Sequence, residues 1–267
     1  MKSKRPAVIT LTTDFGITDW FVGVVKGVIA RLAPESRVID LTHAVPPGDL
    51  CSGAFCLMTG YRFFPKGTVH LTVVDPGVGS NRGMLAVQTV NYFFVGPDNG
   101  VLSWALLTEE IKAIHSLENE AYFLSPVSQT FHGRDIFAPV AAHLSRGVPI
   151  RRLGPAQNDL VRLRWNEPQA TRRGQQGEIV YVDQFGNAIT NLTAACLKDL
   201  GRAKLQVVLK GRRLCAVGNS YSCAPTGKAI AVLGSSGFLE IAVNRGNAAK
   251  RLGLCIGDYL EVEPIVD

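Results

Sequence analysis

An apolar segment that ends on a carboxylate constrains the first half of this chain most strongly. Residues 68–74 are rich in β-branched side chains and predict a buried strand, which ends at Asp75. A proline and two glycines follow directly, so the chain turns tightly there and can bring Arg82 within reach of Asp75. Open α/β sheets bind ligands at such strand ends. An aspartate that only accepts backbone N–H bonds in a turn explains the stretch equally well.

Strand and helix patterns alternate around this stretch. The segment 7–13 predicts a strand that also ends on a carboxylate, Asp14, and 21–32 has apolar residues at helical spacing. Because strands separated by helices form βαβ units, we expect an α/β domain with a mostly parallel sheet and with Asp14 and Asp75 at one edge. The other predictions for this half are strands at 37–42, 83–89, 92–95 and 112–115, and helices at 50–61 (capped by Asp49), at 101–108 and directly after 135.

The second half of the chain has a different pattern. The segment 147–174 holds three prolines, much arginine and little periodicity, so we place the domain boundary there. Short strands separated by Gly, Asn and Ser turns then predict a small, mostly antiparallel β barrel, with a sandwich as the alternative. The predicted domains are an N-terminal α/β domain at 1–155, a linker at 156–174 and a C-terminal β-barrel domain at 175–267, with strands at 178–182, 205–209, 214–217, 229–233, 238–243 and 259–262.

Composition and missing motifs exclude several classes of function. The net charge of +6 is mild, and the arginines are not interleaved with aromatics as a base-stacking surface requires, so we expect no nucleic-acid partner. No apolar segment is long enough for a signal sequence or a membrane span. The six cysteines form no CxxC pair, which favours buried, reduced thiols and a cytoplasmic protein. No complete GxGxxG, P-loop, HExxH or GxSxG motif is present.

Three further segments carry candidate functional residues. His132 precedes a glycine just before a predicted helix, where its ring could face a cleft, although a single histidine more often has a structural role. In the segment 182–191, Asn187 can pair with a purine edge and Phe185 can stack on its ring, although composition alone favours a plain turn. The glycine-rich turn at 234–237 leads into a strand, and its alternative interpretation is an ordinary hairpin.

Five short motifs occur in order along nearly the whole chain. Their combination resembles the S-adenosylmethionine hydroxide adenosyltransferases, also called S-adenosylmethionine hydrolases, which are relatives of the fluorinating and chlorinating adenosyl-halide synthases. Each motif is weak alone, but the combination is specific. The motifs are TTDFG (12–16), VDPGVG (74–79), FHGRD (131–135), FGN (185–187) with TN (190–191), and SSGFLEIAVN (235–244).

The resemblance implies a reaction, an assembly and roles for individual residues. Water or hydroxide would attack the 5′ carbon of S-adenosylmethionine and give adenosine and L-methionine, without a metal or a cofactor. The assembly would be a homotrimer, with each site between the N-terminal domain of one subunit and the C-terminal domain of a neighbour. The implied residues are Asp75, Arg82 and His132 for catalysis, Asp14 at the ribose hydroxyls, Asn187 at adenine, Ser235 and Glu240 at the methionine end, and Phe15, Asp183, Phe185, Phe238 and Val243 as further substrate contacts.

Departures from the halide-forming relatives favour water as the nucleophile. Those enzymes have Tyr where this chain has Asp75 and an Ala-Thr pair at 77–78, and the fluorinating ones carry a loop for which 83–89 leaves no room. A buried carboxylate would also repel a halide. Halide-dependent synthesis of a 5′-halo-5′-deoxyadenosine is one alternative. The other is a non-catalytic adenosine- or S-adenosylmethionine-binding protein, which would not need Asp75, Arg82 and His132 together.

The chemistry of a sulfonium makes three such residues a coherent catalytic set. The leaving group is already cationic, so no acid is needed to expel methionine and no metal is needed to polarise it. The reaction requires an oxygen nucleophile held in line with the C5′–S bond. We assign Arg82 to hold that oxygen and favour its anionic form, Asp75 to orient the pair, and His132 to position the water or take its proton. A desolvated pocket would favour this charge-neutralising attack.

Overall fold

The computed structural model describes residues 7–200 and 204–265, and its internal contacts divide the chain into two units. The units are Met1–Arg164 and Trp165–Asp267. Their junction falls inside the segment 156–174 that the sequence predicts as a linker. The described part of the chain contains no helix long and apolar enough to cross a membrane.

The N-terminal unit is built on a seven-stranded mixed sheet. The strands are β1 (Val8–Thr13), β2 (Arg37–Thr42), β3 (Val69–Val73), β4 (Met84–Thr89), β5 (Phe93–Pro97), β6 (Ile111–Ser116) and β7 (Ala156–Gln157). Their order in the sheet is β2-β1-β3-β5-β4-β6-β7, with parallel pairing from β2 to β5 and antiparallel pairing beyond β5. The predicted α/β class and its parallel strands are confirmed.

Helices cover both faces of this sheet and form two separate cores. One core joins fully buried apolar side chains of β1 and β3, such as Ile9 and Leu71, to the helices Phe21–Leu32 and Ala138–Ser145. The other core includes residues of the helices Leu50–Gly60 and Ser103–Leu106. The predicted helix at 101–108 is confined to one turn, whereas Asp49 caps its helix as predicted by accepting the Ser52 N–H at 3.0 Å. The helices are α1 (Phe21–Leu32), α2 (Leu50–Gly60), α3 (Ser103–Leu106) and α4 (Ala138–Ser145), with 3₁₀ turns at Tyr61–Phe63, Glu120–Tyr122 and Ile150–Arg152 and a π-helical segment at Gly133–Phe137.

One buried histidine of the sheet has a structural role. His70 of β3 is fully buried, its Nδ1 lies 2.8 Å from Thr10 Oγ1, and aromatic rings including Tyr61 and Phe94 surround it. Burial lowers the pKa of His70 to about 3. The ring therefore stays neutral and packs as part of the core.

The C-terminal unit contains a closed barrel of seven strands. The strands of this unit are β8 (Gln169–Ala170), β9 (Gln175–Val182), β10 (Ala188–Thr193), β11 (Leu205–Leu209), β12 (Arg212–Gly218), β13 (Ala229–Leu233), β14 (Phe238–Val243) and β15 (Tyr259–Pro264), with short helices α5 (Ala194–Lys198) and α6 (Ala248–Leu252) and a 3₁₀ turn at Tyr221–Cys223. The hydrogen-bonded order is β10-β14-β13-β12-β11-β15-β9, and β9 pairs with β10 to close the ring. The short strand β8 lies outside the ring against β9. The predicted barrel is thus confirmed.

The strand β10 is absent from the sequence predictions, because its polar residues resemble a turn. In the structure Thr190 is fully buried and donates from Oγ1 to the Leu239 carbonyl at 2.8 Å. The Asn191 amide accepts from the Glu178 N–H at 2.8 Å and donates to the Asn166 carbonyl at 2.6 Å. Buried polar side chains whose hydrogen bonds are satisfied are compatible with a central strand.

The cysteines are free, as the sequence predicts, but their burial is not as predicted. Cys215 is buried, Cys56 and Cys196 are half-buried, and Cys51, Cys223 and Cys255 are exposed. The prediction that most of these thiols are buried is therefore wrong. Several of the cysteines have apolar neighbours in the sequence but lie at turns or on outward faces in the structure.

Candidate active site

A tight loop after β3 carries the two charged residues that the sequence singles out. Asp75 follows the end of β3 at Val73, and its carbonyl accepts from the Val78 N–H at 3.2 Å. A second turn follows, in which the Ser80 N–H donates to the Gly77 carbonyl at 3.0 Å. These turns curl the chain so that Arg82 returns to Asp75.

A buried ion pair joins Arg82 to Asp75. Arg82 Nε donates to Asp75 Oδ1 at 2.7 Å, and Nη2 donates to Oδ2. The two side chains are only 9% and 5% exposed. The Arg82 guanidinium also lies 5.5 Å from the centre of the Phe137 ring. This bidentate geometry fixes both head groups without the freedom of a surface pair.

One glycine of this loop is required by close approach of the backbone. Gly79 has φ 78°, and a Cβ at this position would overlap the carbonyl oxygen of Gln129. Any other residue would therefore push apart the loop and the segment just before His132.

His132 completes a continuous polar contact with the ion pair. Its Nδ1 lies 3.0 Å from Arg82 Nη2, and the residue is 8% exposed. Because a guanidinium only donates hydrogen bonds, Nδ1 is the acceptor, and the neutral ring carries its proton on Nε2. Burial and the positive charge of Arg82 lower the pKa of His132, against the opposing charges of Asp75 and Asp135.

A second ion pair supports the segment that carries His132. Asp135 is 1% exposed and accepts from Arg134 at 2.6 and 2.8 Å and from the Ser128 N–H at 2.9 Å. Burial raises the pKa of Asp135, but the Arg134 and Ser128 hydrogen bonds outweigh it and lower the pKa overall. The segment Gly133–Phe137 is π-helical, a local geometry that is frequent at functional sites.

Asp14 and Phe15 lie on the loop after β1, the strand next to β3. Thr13 and Val73 are register partners, so Asp14 and Asp75 leave neighbouring strands at the same edge of the sheet, as predicted. Asp14 Oδ2 accepts from the Gly48 N–H at 2.8 Å. Phe15 packs edge-on against the Phe131 ring, with centroids 5.9 Å apart.

The barrel unit has a cavity of about 730 Å³ that collects most of the predicted binding residues of that unit. The ones that line it lie in or next to the strands β9, β10, β13 and β14. They are Asp183, Phe185, Asn187, Ser235, Glu240 and Val243. Phe238 does not line this cavity, and its ring lies 5.9 Å from that of Trp165.

A turn anchored by Asp183 presents Phe185 and Asn187. Asp183 Oδ1 accepts from the N–H groups of Phe185 and Asn187 at 2.9 and 2.8 Å, and Oδ2 accepts from Asn187 Nδ2 at 3.0 Å. Asn187 is 9% exposed and has its amide oriented by this bond, whereas Phe185 is 68% exposed. A large exposed aromatic ring beside an oriented amide suits a flat heteroaromatic ligand.

The structure adds residues that the sequence did not indicate. Tyr221, Ser236 and Arg245 also line the cavity, and the Tyr221 hydroxyl donates to Glu240 Oε1. Tyr221 lies in a 3₁₀ turn remote in sequence from every motif, so no spacing pattern could have found it. No group of three or more His, Cys, Asp or Glu side chains in the described ranges could hold a metal ion.

These features define a class of protein: an α/β unit with a buried Asp-Arg-His set at a strand end, followed by a β barrel with a cavity of about 730 Å³. The chain belongs to the S-adenosylmethionine hydroxide adenosyltransferase family. The model of the family's N-terminal domain matches residues 9–154, and that of its C-terminal domain matches residues 177–261.

Two named relatives and a solved structure are similar to this chain over nearly its whole length. The chain is 42% identical to the (R)-S-adenosyl-L-methionine hydrolase of Salinispora arenicola over 95% of this chain and 97% of that protein. It is 26% identical to the fluorinase of Nocardia brasiliensis, over 97% of each. An uncharacterised conserved protein from Thermotoga maritima has a similar structure, with a TM-score of 0.90, 37% identity and coverage of 96% of this chain and 99% of that one.

We predict that His132 titrates below its ordinary pKa of 6.5, and that Asp75→Asn lowers its pKa further. The positive charge of Arg82 disfavours the protonated imidazolium of His132, and the negative charge of Asp75 partly cancels this effect. Removing the Asp75 charge should therefore lower the pKa of His132. NMR titration of the imidazole Cε1–H signal, assigned with His132→Gln, measures both values. A pKa of 6.5 or higher in the wild-type protein, or a rise in Asp75→Asn, would contradict this electrostatic account.

Proposed function

We propose that this protein hydrolyses S-adenosylmethionine by attack of water or hydroxide at C5′, giving adenosine and L-methionine. The buried contact chain from Asp75 through Arg82 to His132 is the observation that carries the proposal. Membership of the family, and a 42% identical relative named as an (R)-S-adenosyl-L-methionine hydrolase, support it.

The proposed step forms one bond and breaks one. The oxygen of water bonds to C5′ as the C5′–S pair moves to sulfur, which converts the sulfonium into the neutral thioether of methionine. The water loses one proton. Since the leaving group is expelled as a neutral molecule, neither a general acid nor a metal nor a cofactor has a necessary part in this chemistry.

Arg82 and His132 have complementary roles in holding the nucleophile. Arg82 donates from Nε and Nη2 to Asp75, and Nη2 also contacts His132. Nη1 is left to donate to the attacking oxygen. Neutral His132, with Nδ1 occupied by Arg82, can donate from Nε2 to the same oxygen. Two donors stabilise a hydroxide-like oxygen, so His132 acts by positioning, and the proton leaves towards the Asp75 carboxylate or solvent. Asp14, Asn187 and Phe185 are the proposed contacts for ribose and adenine.

The two alternatives fit the site less well. Water enters the site neutral, whereas a halide must bring a full negative charge towards the buried carboxylate of Asp75, which raises the energy of the halide in a poorly solvated pocket. A protein that only binds adenosine has no use for a buried Asp-Arg-His set, whose desolvation is costly.

The name of the Salinispora relative specifies the (R) configuration at sulfur. We extend that preference to this chain.

We also propose a homotrimer in which the N-terminal unit of one copy and the C-terminal unit of the next contribute to each site, as the family resemblance implies. The proposed location is the cytoplasm.

Product analysis in ¹⁸O-labelled water tests the reaction. The purified protein, given each sulfonium epimer with and without chloride, should form labelled adenosine from the (R) epimer in both cases. Asp75→Asn should lower kcat by about 10²–10⁴-fold, because the oxygen nucleophile loses its oriented arginine. Asp159→Asn is the matched control, since Asp159 pairs with Arg162 on the surface and should leave kcat unchanged. A chlorinated nucleoside would establish the halide alternative, and unchanged substrate despite binding would establish the binding-only one.

Complementation tests the shared site. We expect Asp75→Asn and the double variant Phe185→Ala/Glu240→Gln each to be inactive as homotrimers. When the two are co-expressed, the whole preparation should recover about a quarter of wild-type activity, because three-quarters of random trimers are mixed and each mixed trimer has one intact site of three. Co-expression of Asp75→Asn with His132→Ala is the control, which should recover none. No recovery in the first mixture, with mixed trimers verified by mass, would contradict a site shared between copies.

A further inference from the structure

The carboxylate of Glu240 is held in one orientation by its surroundings. Glu240 lies in β14 and is 5% exposed. Its Oε1 accepts from the Tyr221 hydroxyl, while Oε2 lies where a Cβ on Gly234 would overlap it. A glycine at 234 is therefore needed for this rotamer.

Tyr221 is itself anchored to the strand that carries Glu240. It begins the 3₁₀ turn Tyr221–Cys223, and the carbonyl of the next residue, Ala224, accepts from Asn244 Nδ2 at 2.7 Å. Asn244 directly follows β14. The hydrogen bond to Glu240 and burial raise the pKa of Tyr221 to about 12, so its hydroxyl remains a donor at any physiological pH.

A second polar group of the cavity points to a ligand. Ser236 lines the same cavity, and its Oγ is buried without a hydrogen-bond partner among the described residues. A buried hydroxyl without a partner costs stability unless a ligand or water satisfies it. The cavity thus combines the oriented carboxylate of Glu240 with a buried hydroxyl that the described residues leave without a hydrogen-bond partner.

We propose that Tyr221 is a positioning residue for substrate binding: it holds the Glu240 carboxylate in the orientation that accepts a hydrogen bond from an amino group of the bound substrate. The proposal rests on the proposed function, since S-adenosylmethionine carries two such groups, the exocyclic amine of adenine and the ammonium of methionine. A carboxylate accepts from either, and a protonated carboxyl accepts poorly.

The charges around Tyr221 and Glu240 predict how substrate binding depends on pH. Its titratable and charged lining residues, within the described part of the chain, are Asp183, Tyr221, Glu240 and Arg245. Burial raises the pKa of Glu240, the Asp183 charge raises it further, and the Tyr221 hydrogen bond opposes both. Removing the hydroxyl should therefore raise the pKa of Glu240, so that the carboxylate is lost at a higher pH on acidification.

The test is Tyr221→Phe, which keeps the ring and removes the hydrogen bond. We expect about a tenfold rise in KM for S-adenosylmethionine with kcat within threefold of wild type, and an acid limb of kcat/KM displaced to higher pH.

His132 is common to both proteins, so its titration does not produce the displacement. In a Glu240→Gln background, Tyr221→Phe should have no further effect. Tyr259→Phe, in the same barrel but outside the cavity, should behave as wild type.

Binding of nucleosides separates this proposal from the proposed function and identifies the amino group. Calorimetry with adenosine and with inosine, which lacks the exocyclic amine, requires no turnover. If Tyr221→Phe binds adenosine more weakly than wild type but binds inosine equally well, the contact is with the exocyclic amine of adenine. If KM for S-adenosylmethionine rises while both nucleosides bind as in wild type, the contact is with the ammonium of methionine. If KM, nucleoside affinity and the acid limb all match wild type, or if the effect persists in Glu240→Gln, Tyr221 does not act through Glu240. Absence of hydrolysis by the wild-type protein would overturn the proposed function instead.

Discussion

The site depends on one buried ion pair at the end of a central parallel strand. Desolvation makes an isolated charge expensive in such a place, and a buried pair is retained only with good geometry and satisfied hydrogen bonds. Asp75 and Arg82 meet both conditions through a bidentate contact, and His132 takes a third hydrogen bond from the guanidinium. The loop between them, with its backbone pressed against Gln129 at Gly79, connects this pair to the segment that carries the histidine.

The two units make different physical contributions. In the N-terminal unit the groups are charged, buried and mutually hydrogen-bonded, which suits a site that must hold a small nucleophile in one orientation. In the barrel unit the cavity combines an exposed aromatic ring, an oriented amide and a carboxylate, which suits recognition of a larger, partly aromatic molecule. Because a sulfonium leaves without help, positioning and recognition are the main requirements of the proposed reaction.

Sequence patterns predicted the elements of the fold that depend on interactions between residues near each other in the chain. The helix α1 matches its predicted range because apolar spacing and a following proline define it, and Asp14 and Asp75 lie at one sheet edge because parallel topology places them there. The strand β10 was missed, since its buried Thr and Asn residues look like a turn until distant partners satisfy them. Tyr221 was missed for a similar reason: its contact with Glu240 joins the turn before β13 to the neighbouring strand β14, and no local pattern encodes that contact. The assignment of Arg82 and His132 to one set came from resemblance, and their 3.0 Å contact is a tertiary feature that spacing alone does not encode.

The most direct test of the central claim is the single-turnover rate of Arg82→Lys. A lysine keeps the positive charge, but a single ammonium cannot bind both Asp75 oxygens, His132 and a nucleophile in the planar arrangement of a guanidinium. If this geometry holds the attacking oxygen, the rate of adenosine formation should fall about 10²-fold or more while substrate affinity stays within threefold of wild type. A rate within threefold of wild type would show that charge alone suffices, and the account of the site given by Asp75, Arg82 and His132 would be wrong.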